Sequence, residues 1–98
     1  MGAMIGAGTD LGGYYCGFFG RFVDELNRYV DAGISPFDAL RMATSVNARI
    51  LGMEDKIGTI KKGAWADMIA IDGDPLKNIR ALDSVRMVMK GGVFIKNA

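Results

Sequence analysis

The chain has 98 residues, half of them hydrophobic, and its twelve basic and eleven acidic residues give a net charge of +1. This composition favours a single folded domain and lacks the one-sided basic charge of a nucleic-acid-binding protein. The sequence has one cysteine and no histidine, which excludes an internal disulfide and any catalysis that needs histidine, and favours the cytoplasm.

Two features of the N-terminal region argue against membrane targeting. The longest uncharged run, residues 11–20, is about half the length that a helix needs to cross a bilayer. The first basic residue is Arg21, so the charged start of a signal peptide is missing. We expect a soluble, cytoplasmic protein with no membrane partner.

A short strand and two helices are predicted for the first half of the chain. Residues 1–9 are apolar and rich in small side chains, as in a strand packed closely against other backbone. A helical stripe then recurs at three- and four-residue spacing and ends before Gly33; it comprises Phe19, Phe22, Val23, Leu26 and Val30. Ser35 as N-cap and Pro36 at the first helical position start a second helix that runs to Leu51.

The second half has the pattern of a small antiparallel sheet. Gly58 and Gly63 bracket a short hairpin-like excursion, and residues 72–75 form a turn. Gly91-Gly92 is typical of a two-residue hairpin turn. The predicted strands cover residues 66–71, 85–90 and 93–95. The expected fold class is therefore α+β.

Two familiar binding patterns are present only in part. Gly6-Ala7-Gly8 begins like a dinucleotide-binding loop, but Leu11 stands at the third glycine position and a second strand does not follow. Three aspartates are spaced somewhat like those of a calcium-binding loop, namely Asp67, Asp72 and Asp74. The glutamate that ends such a loop is missing, so a turn is the favoured interpretation.

The region around Cys16 is aromatic and rich in glycine. No basic side chain flanks the thiol, so we expect it to be unreactive. The aromatic side chains lack the basic groove of a nucleic-acid site, so core packing or a self-association surface is the favoured interpretation.

Six short motifs occur in a characteristic order. They are Gly8-Thr9-Asp10, residues 31–40, residues 43–52, residues 57–60 with Gly63, residues 66–76 and residues 85–92. Together they resemble the C-terminal end of the amidohydrolase superfamily, in particular its imidazolonepropionase-like and Xaa-Pro dipeptidase-like branch. The resemblance covers essentially the whole chain.

The resemblance implies a (β/α)₈ barrel with a small β-sandwich built from both chain ends. Residues 1–52 then correspond to the end of the barrel, with its last strand and a helix pair. Residues 53–98 correspond to part of the sandwich, a small antiparallel β-sheet. We expect the two parts to form one compact unit.

The resemblance also implies hydrolysis of carbon–nitrogen bonds with zinc or another divalent metal. By motif, Asp10 is the metal ligand and general base of the complete enzyme. A catalytic zinc needs about three protein ligands, and this chain supplies one by motif, so we expect it to be inactive alone. The chain departs from the family at Phe19-Gly20, where many relatives have His-Gly, and at Ala64, where a lysine is frequent.

Three hypotheses for the chain remain. It is a fragment of a metal-dependent amidohydrolase, or a stand-alone module derived from one that self-associates through sheet edges and apolar faces. The third hypothesis is that it assembles with a separately encoded barrel, whose metal centre Asp10 completes.

Overall fold

The computed structural model of the chain describes residues 2–9 and 22–97. Its elements are α1 (Phe22–Asp31), α2 (Pro36–Ala43), α3 (Ser45–Ile50), β1 (Met68–Ile71), a 3₁₀ helix (Ile79–Asp83), β2 (Val85–Lys90) and β3 (Val93–Asn97). Helices precede a small antiparallel sheet, so the predicted α+β class is confirmed. Within these ranges, no helix has the length and apolar character needed to cross a bilayer.

The first two helices form where the sequence predicts them. The backbone turns after α1 at Gly33, whose φ of +102° favours glycine. Ser35 caps α2, because its Oγ accepts the backbone N–H of Asp38 at 3.1 Å. Leu26 of α1 and Ala39 of α2 are buried against each other in the core.

The second predicted helix is divided in two at Thr44. The backbone there leaves the helical region, with φ −124° and ψ −93°, and the Thr44 hydroxyl donates to the carbonyl oxygen of Leu40 at 2.7 Å. Gly58 packs at this break, so closely that a Cβ on it would lie 2.8 Å from the carbonyl oxygen of Thr44. The prediction of one continuous helix was wrong because this contact comes from a distant segment.

The sheet has three antiparallel strands in the order β1-β2-β3. Gly91 and Gly92 form the turn between β2 and β3 with φ values of +57° and +82°, which is the geometry predicted for a two-residue hairpin. β1 begins at Met68, two residues later than predicted. Residues 58–63 form turns and bends rather than paired strands.

The sequence analysis missed the 3₁₀ helix that precedes β2. Asn78 caps it by accepting the backbone N–H of Arg80 at 3.0 Å. The helix places Ile79, which is 2% exposed, in the core beside Leu26. Arg80 also pairs with Asp24 of α1 at 2.6 Å. This short helix therefore connects the helical half of the chain to the sheet.

The strand predicted for residues 1–9 is not formed as a strand over the described residues 2–9. A strand needs a neighbouring strand to bond its backbone. Among the described residues, Ala7 instead donates its N–H to the carbonyl oxygen of Met42, at 3.1 Å. The segment therefore lies against the helices.

Candidate functional site

The candidate catalytic and metal-binding residue, Asp10, lies outside the described residues, as do Cys16 and Phe19. Its assignment stays a prediction. The described part of the Gly8-Thr9-Asp10 motif ends at Thr9, so the structure shows only how the segment that precedes Asp10 in the sequence is held.

Helices α2 and α3 hold both backbone groups of Ala7. Its N–H donates to the carbonyl oxygen of Met42 at 3.1 Å, and its carbonyl oxygen accepts the Asn47 side-chain Nδ2–H at 2.9 Å. Gly6 lies directly under the same amide, since a Cβ on Gly6 would fall 2.0 Å from Asn47 Oδ1. Only glycine fits at that position with Asn47 in its present place.

Tyr29 of α1 lies near the next residue, Gly8. Its hydroxyl donates to the Glu25 carboxylate, a short contact within α1. The bond to Glu25 raises the pKa of Tyr29, partial burial raises it further, and the nearby Gly8 backbone N–H opposes both. Tyr29 therefore stays protonated at neutral pH.

The described residues do not provide a metal centre. Across residues 2–9 and 22–97, no three His, Cys, Asp or Glu side chains are arranged to hold an ion together. The zinc or other divalent metal implied by the resemblance does not fit this donor set.

The three aspartates of the calcium-like pattern have separate partners. Asp67 accepts from Lys90 Nζ and from the Gly91 backbone N–H, both at 2.7 Å. Asp72 pairs with Arg86, and Asp74 accepts the Leu76 N–H at 2.9 Å. Each carboxylate therefore stabilises a local turn or strand end.

A groove of about 700 Å³ lies between α3, the loop at residues 57–60 and one face of β1 and β2. Apolar side chains form most of its lining. The polar members are Thr44, Asn47, Thr59 and Asp67. Asn47 therefore borders the groove, and its side-chain amide also donates to the Ala7 carbonyl oxygen in the segment before Asp10.

Asp67 gives a testable pH effect. The bond from Lys90 is the main cause of its lowered pKa, and the Gly91 N–H adds to it. Because the folded-state pKa lies below the unfolded value of about 3.9, the bond stabilises the fold above that value and is lost as pH falls through the folded pKa. We expect Lys90→Met to raise the pKa of Asp67, measured by NMR titration of its carboxyl carbon.

Lys77→Met is the matched control, because Lys77 lies in the turn before the 3₁₀ helix and is not bonded to Asp67. It should leave the Asp67 titration unchanged. An Asp67 titration that is the same with and without the Lys90 ammonium would contradict this account of the hairpin.

Comparisons with known proteins match a family model over nearly the whole chain and individual sequences over less than half of it. The sequence model of the Amidohydrolase family matches residues 1–95. A 5-methylthioadenosine/S-adenosylhomocysteine deaminase from Symbiobacterium thermophilum is 50% identical over 38 residues, which cover 39% of this chain and 9% of that protein. A second deaminase of that name, from Teredinibacter turnerae, is 42% identical over 45 residues, which cover 46% of this chain and 10% of that protein.

Solved structures are similar over a larger share of the chain. A Xaa-Pro dipeptidase with bound methionine has a TM-score of 0.79 and 34% identity, and the match covers 82% of this chain and 20% of that one. A candidate prolidase from Bifidobacterium longum has a TM-score of 0.85 and 36% identity, covering 99% of this chain and 25% of that one. The chain therefore spans about a quarter or less of these relatives, and it belongs to the Amidohydrolase family.

Proposed function

We propose that this chain forms the C-terminal part of a metal-dependent amidohydrolase that hydrolyses carbon–nitrogen bonds. By motif, Asp10 is one metal ligand and the general base of that enzyme. The observation that carries the proposal is the family match over residues 1–95. A dipeptidase and a deaminase are among the relatives, and both act on carbon–nitrogen bonds. They support carbon–nitrogen bond hydrolysis as the type of reaction.

The donor count supports the view that these 98 residues are inactive alone. The sequence contains no histidine and a single cysteine. A catalytic zinc takes about three protein ligands and keeps one position open. The remaining ligands would have to come from other residues, either of the same polypeptide or of a separately encoded barrel. The single cysteine is consistent with a cytoplasmic location.

A graft tests the proposal. The matching fifth of the Xaa-Pro dipeptidase is replaced by this chain, and hydrolysis of Xaa-Pro dipeptides is measured with Zn²⁺ or Mn²⁺. We expect an active graft in which Asp10→Ala lowers kcat by at least about 100-fold, the usual size of a general-base contribution.

Asp55→Ala is the control, because the Asp55 side chain is 95% exposed and pairs with Lys61 at 3.6 Å. It should leave kcat unchanged. An Asp10→Ala graft that is as active as the Asp55→Ala graft would refute the role of Asp10. Metal-dependent turnover by the 98-residue chain alone, lost in Asp10→Ala, would refute its inactivity.

Exposed apolar surface favours a second role, self-association of the chain when it is alone. Three large side chains of the sheet region are strongly exposed, namely Ile60 at 88%, Val93 at 66% and Ile95 at 68%. β3 is also an edge strand, and an edge strand offers unpaired backbone groups to a second copy. On this view the chain is a homodimer or a higher homo-oligomer.

Light scattering at micromolar concentration tests this second role. We expect a mass of at least two chains, reduced by Val93→Lys because a charge on the edge opposes pairing. Leu76→Lys is the control, since Leu76 is 52% exposed but lies in a turn outside the strands. A monomeric mass for the unaltered chain would exclude the role.

A further inference from the structure

We infer that Asn47 is a positioning residue that holds the Ala7 backbone against the helices. The Ala7 latch, as we call it, comprises the bonds of Ala7 with Met42 and Asn47. It acts on a residue that shortly precedes Thr9-Asp10 in the sequence. The inference rests on the proposed function only for the importance of Asp10.

Two helices contribute one bond each to the latch. Met42 of α2 accepts the Ala7 N–H at 3.1 Å, and Asn47 of α3 donates to the Ala7 carbonyl oxygen at 2.9 Å. Ala7 therefore has both backbone groups bonded without a strand partner among the described residues.

The side-chain chemistry of Asn47 suits this role. Its amide nitrogen supplies the donor that the Ala7 carbonyl needs. Its Oδ1 occupies the space where a Cβ of Gly6 would lie, at 2.0 Å. A larger residue at position 6 would therefore displace Asn47 and break its bond to Ala7. Gly6 and Asn47 are coupled, although they are far apart in the sequence.

Amide hydrogen exchange of the 98-residue chain, followed by NMR, tests the latch. In Asn47→Ala we expect the exchange of the Ala7 amide to become about 10- to 100-fold faster, which corresponds to the loss of one part-buried hydrogen bond. In Gly6→Ala we expect a similar change at Ala7, because the added Cβ would lie 2.0 Å from Asn47 Oδ1 and displace that side chain. The amides of Leu26 and Ala39 in the core should keep their protection in both variants.

Asn27→Ala is the matched control. Asn27 makes an exposed bond to Asp31 at 3.2 Å within α1, so its loss should leave the exchange of the Ala7 amide unchanged. Should Asn47→Ala unfold the chain, Leu26 and Ala39 would lose protection as well, and Gly6→Ala then provides the test. Unchanged exchange at Ala7 in Gly6→Ala, or in a folded Asn47→Ala, would overturn the inference.

The exchange experiment needs neither metal nor activity, so it separates the latch from the proposed function. If Asp10→Ala is harmless in the grafted dipeptidase while the Ala7 amide responds as expected, the latch stands and the role of Asp10 falls. If Asp10→Ala abolishes activity while the Ala7 amide does not respond, the proposed function stands and the latch is wrong.

Discussion

Leu26→Ala is expected to lower the free energy of unfolding by about 3 kcal/mol, the middle of the range for a buried leucine. Leu26 is 1% exposed and lies at the centre of the core cluster with Ala39 and Ile79. Its truncation removes apolar contact and leaves a cavity between α1, α2 and the 3₁₀ helix. A chain of this size has a small core, so its other contacts cannot compensate for this loss of stability.

Urea unfolding followed by circular dichroism measures the effect. Leu51→Ala is the matched control, because the same atoms are removed from a side chain that is 66% exposed at the end of α3. We expect that variant to change the free energy of unfolding by about 0.5 kcal/mol or less. Equal losses in the two variants would show that the core does not lie where Leu26 is.

Gly58→Ala is expected to destabilise the fold by about 2 to 4 kcal/mol, for two separate reasons. The backbone of Gly58 has φ of +86°, a conformation that residues with a Cβ rarely adopt. The added Cβ would also lie 2.7 Å from the Cβ of Ala48 and 2.8 Å from the Thr44 carbonyl oxygen. Because the Thr44 oxygen belongs to the backbone, it cannot move aside as the end of a flexible side chain could.

Gly63→Ala separates the two reasons. Gly63 has φ of +92°, similar to that of Gly58, but nothing lies within 4 Å of its Cβ position. The control therefore measures the backbone cost alone, about 1 kcal/mol. The excess loss in Gly58→Ala measures the close contact with α3. Both free energies come from the same urea titrations, and the contact has no energetic weight if the two losses are equal.

The contact at Gly58 bears on the candidate site. It fixes the loop at residues 57–60 against the start of α3, at the break marked by Thr44. Asn47 lies in the first turn of that helix and donates to Ala7. We therefore expect Gly58→Ala to speed the exchange of the Ala7 amide as well, because a shift of α3 moves Asn47.

Local signals in the sequence were sufficient for several elements. The serine cap and proline of α2 act through bonds within one turn. The Gly91-Gly92 hairpin depends on two backbone conformations that glycine favours. The family was recognised from motif order and is confirmed by the match over residues 1–95. The cap and the hairpin are predictable because each depends on residues that are close together in the chain.

Other features depend on contacts between distant residues. Thr44 interrupts a helix whose apolar stripe continues across it, at the point where Gly58 packs. The sequence predicts only that Asn47 lies in a helix, and the structure shows its bond to Ala7, 40 residues earlier. Residues 2–9 have the composition of a strand, but pairing requires a neighbour, and in this fold their bonds go to helices. These features depend on which segments pack against each other in the folded chain, and a short stretch of sequence does not contain that information.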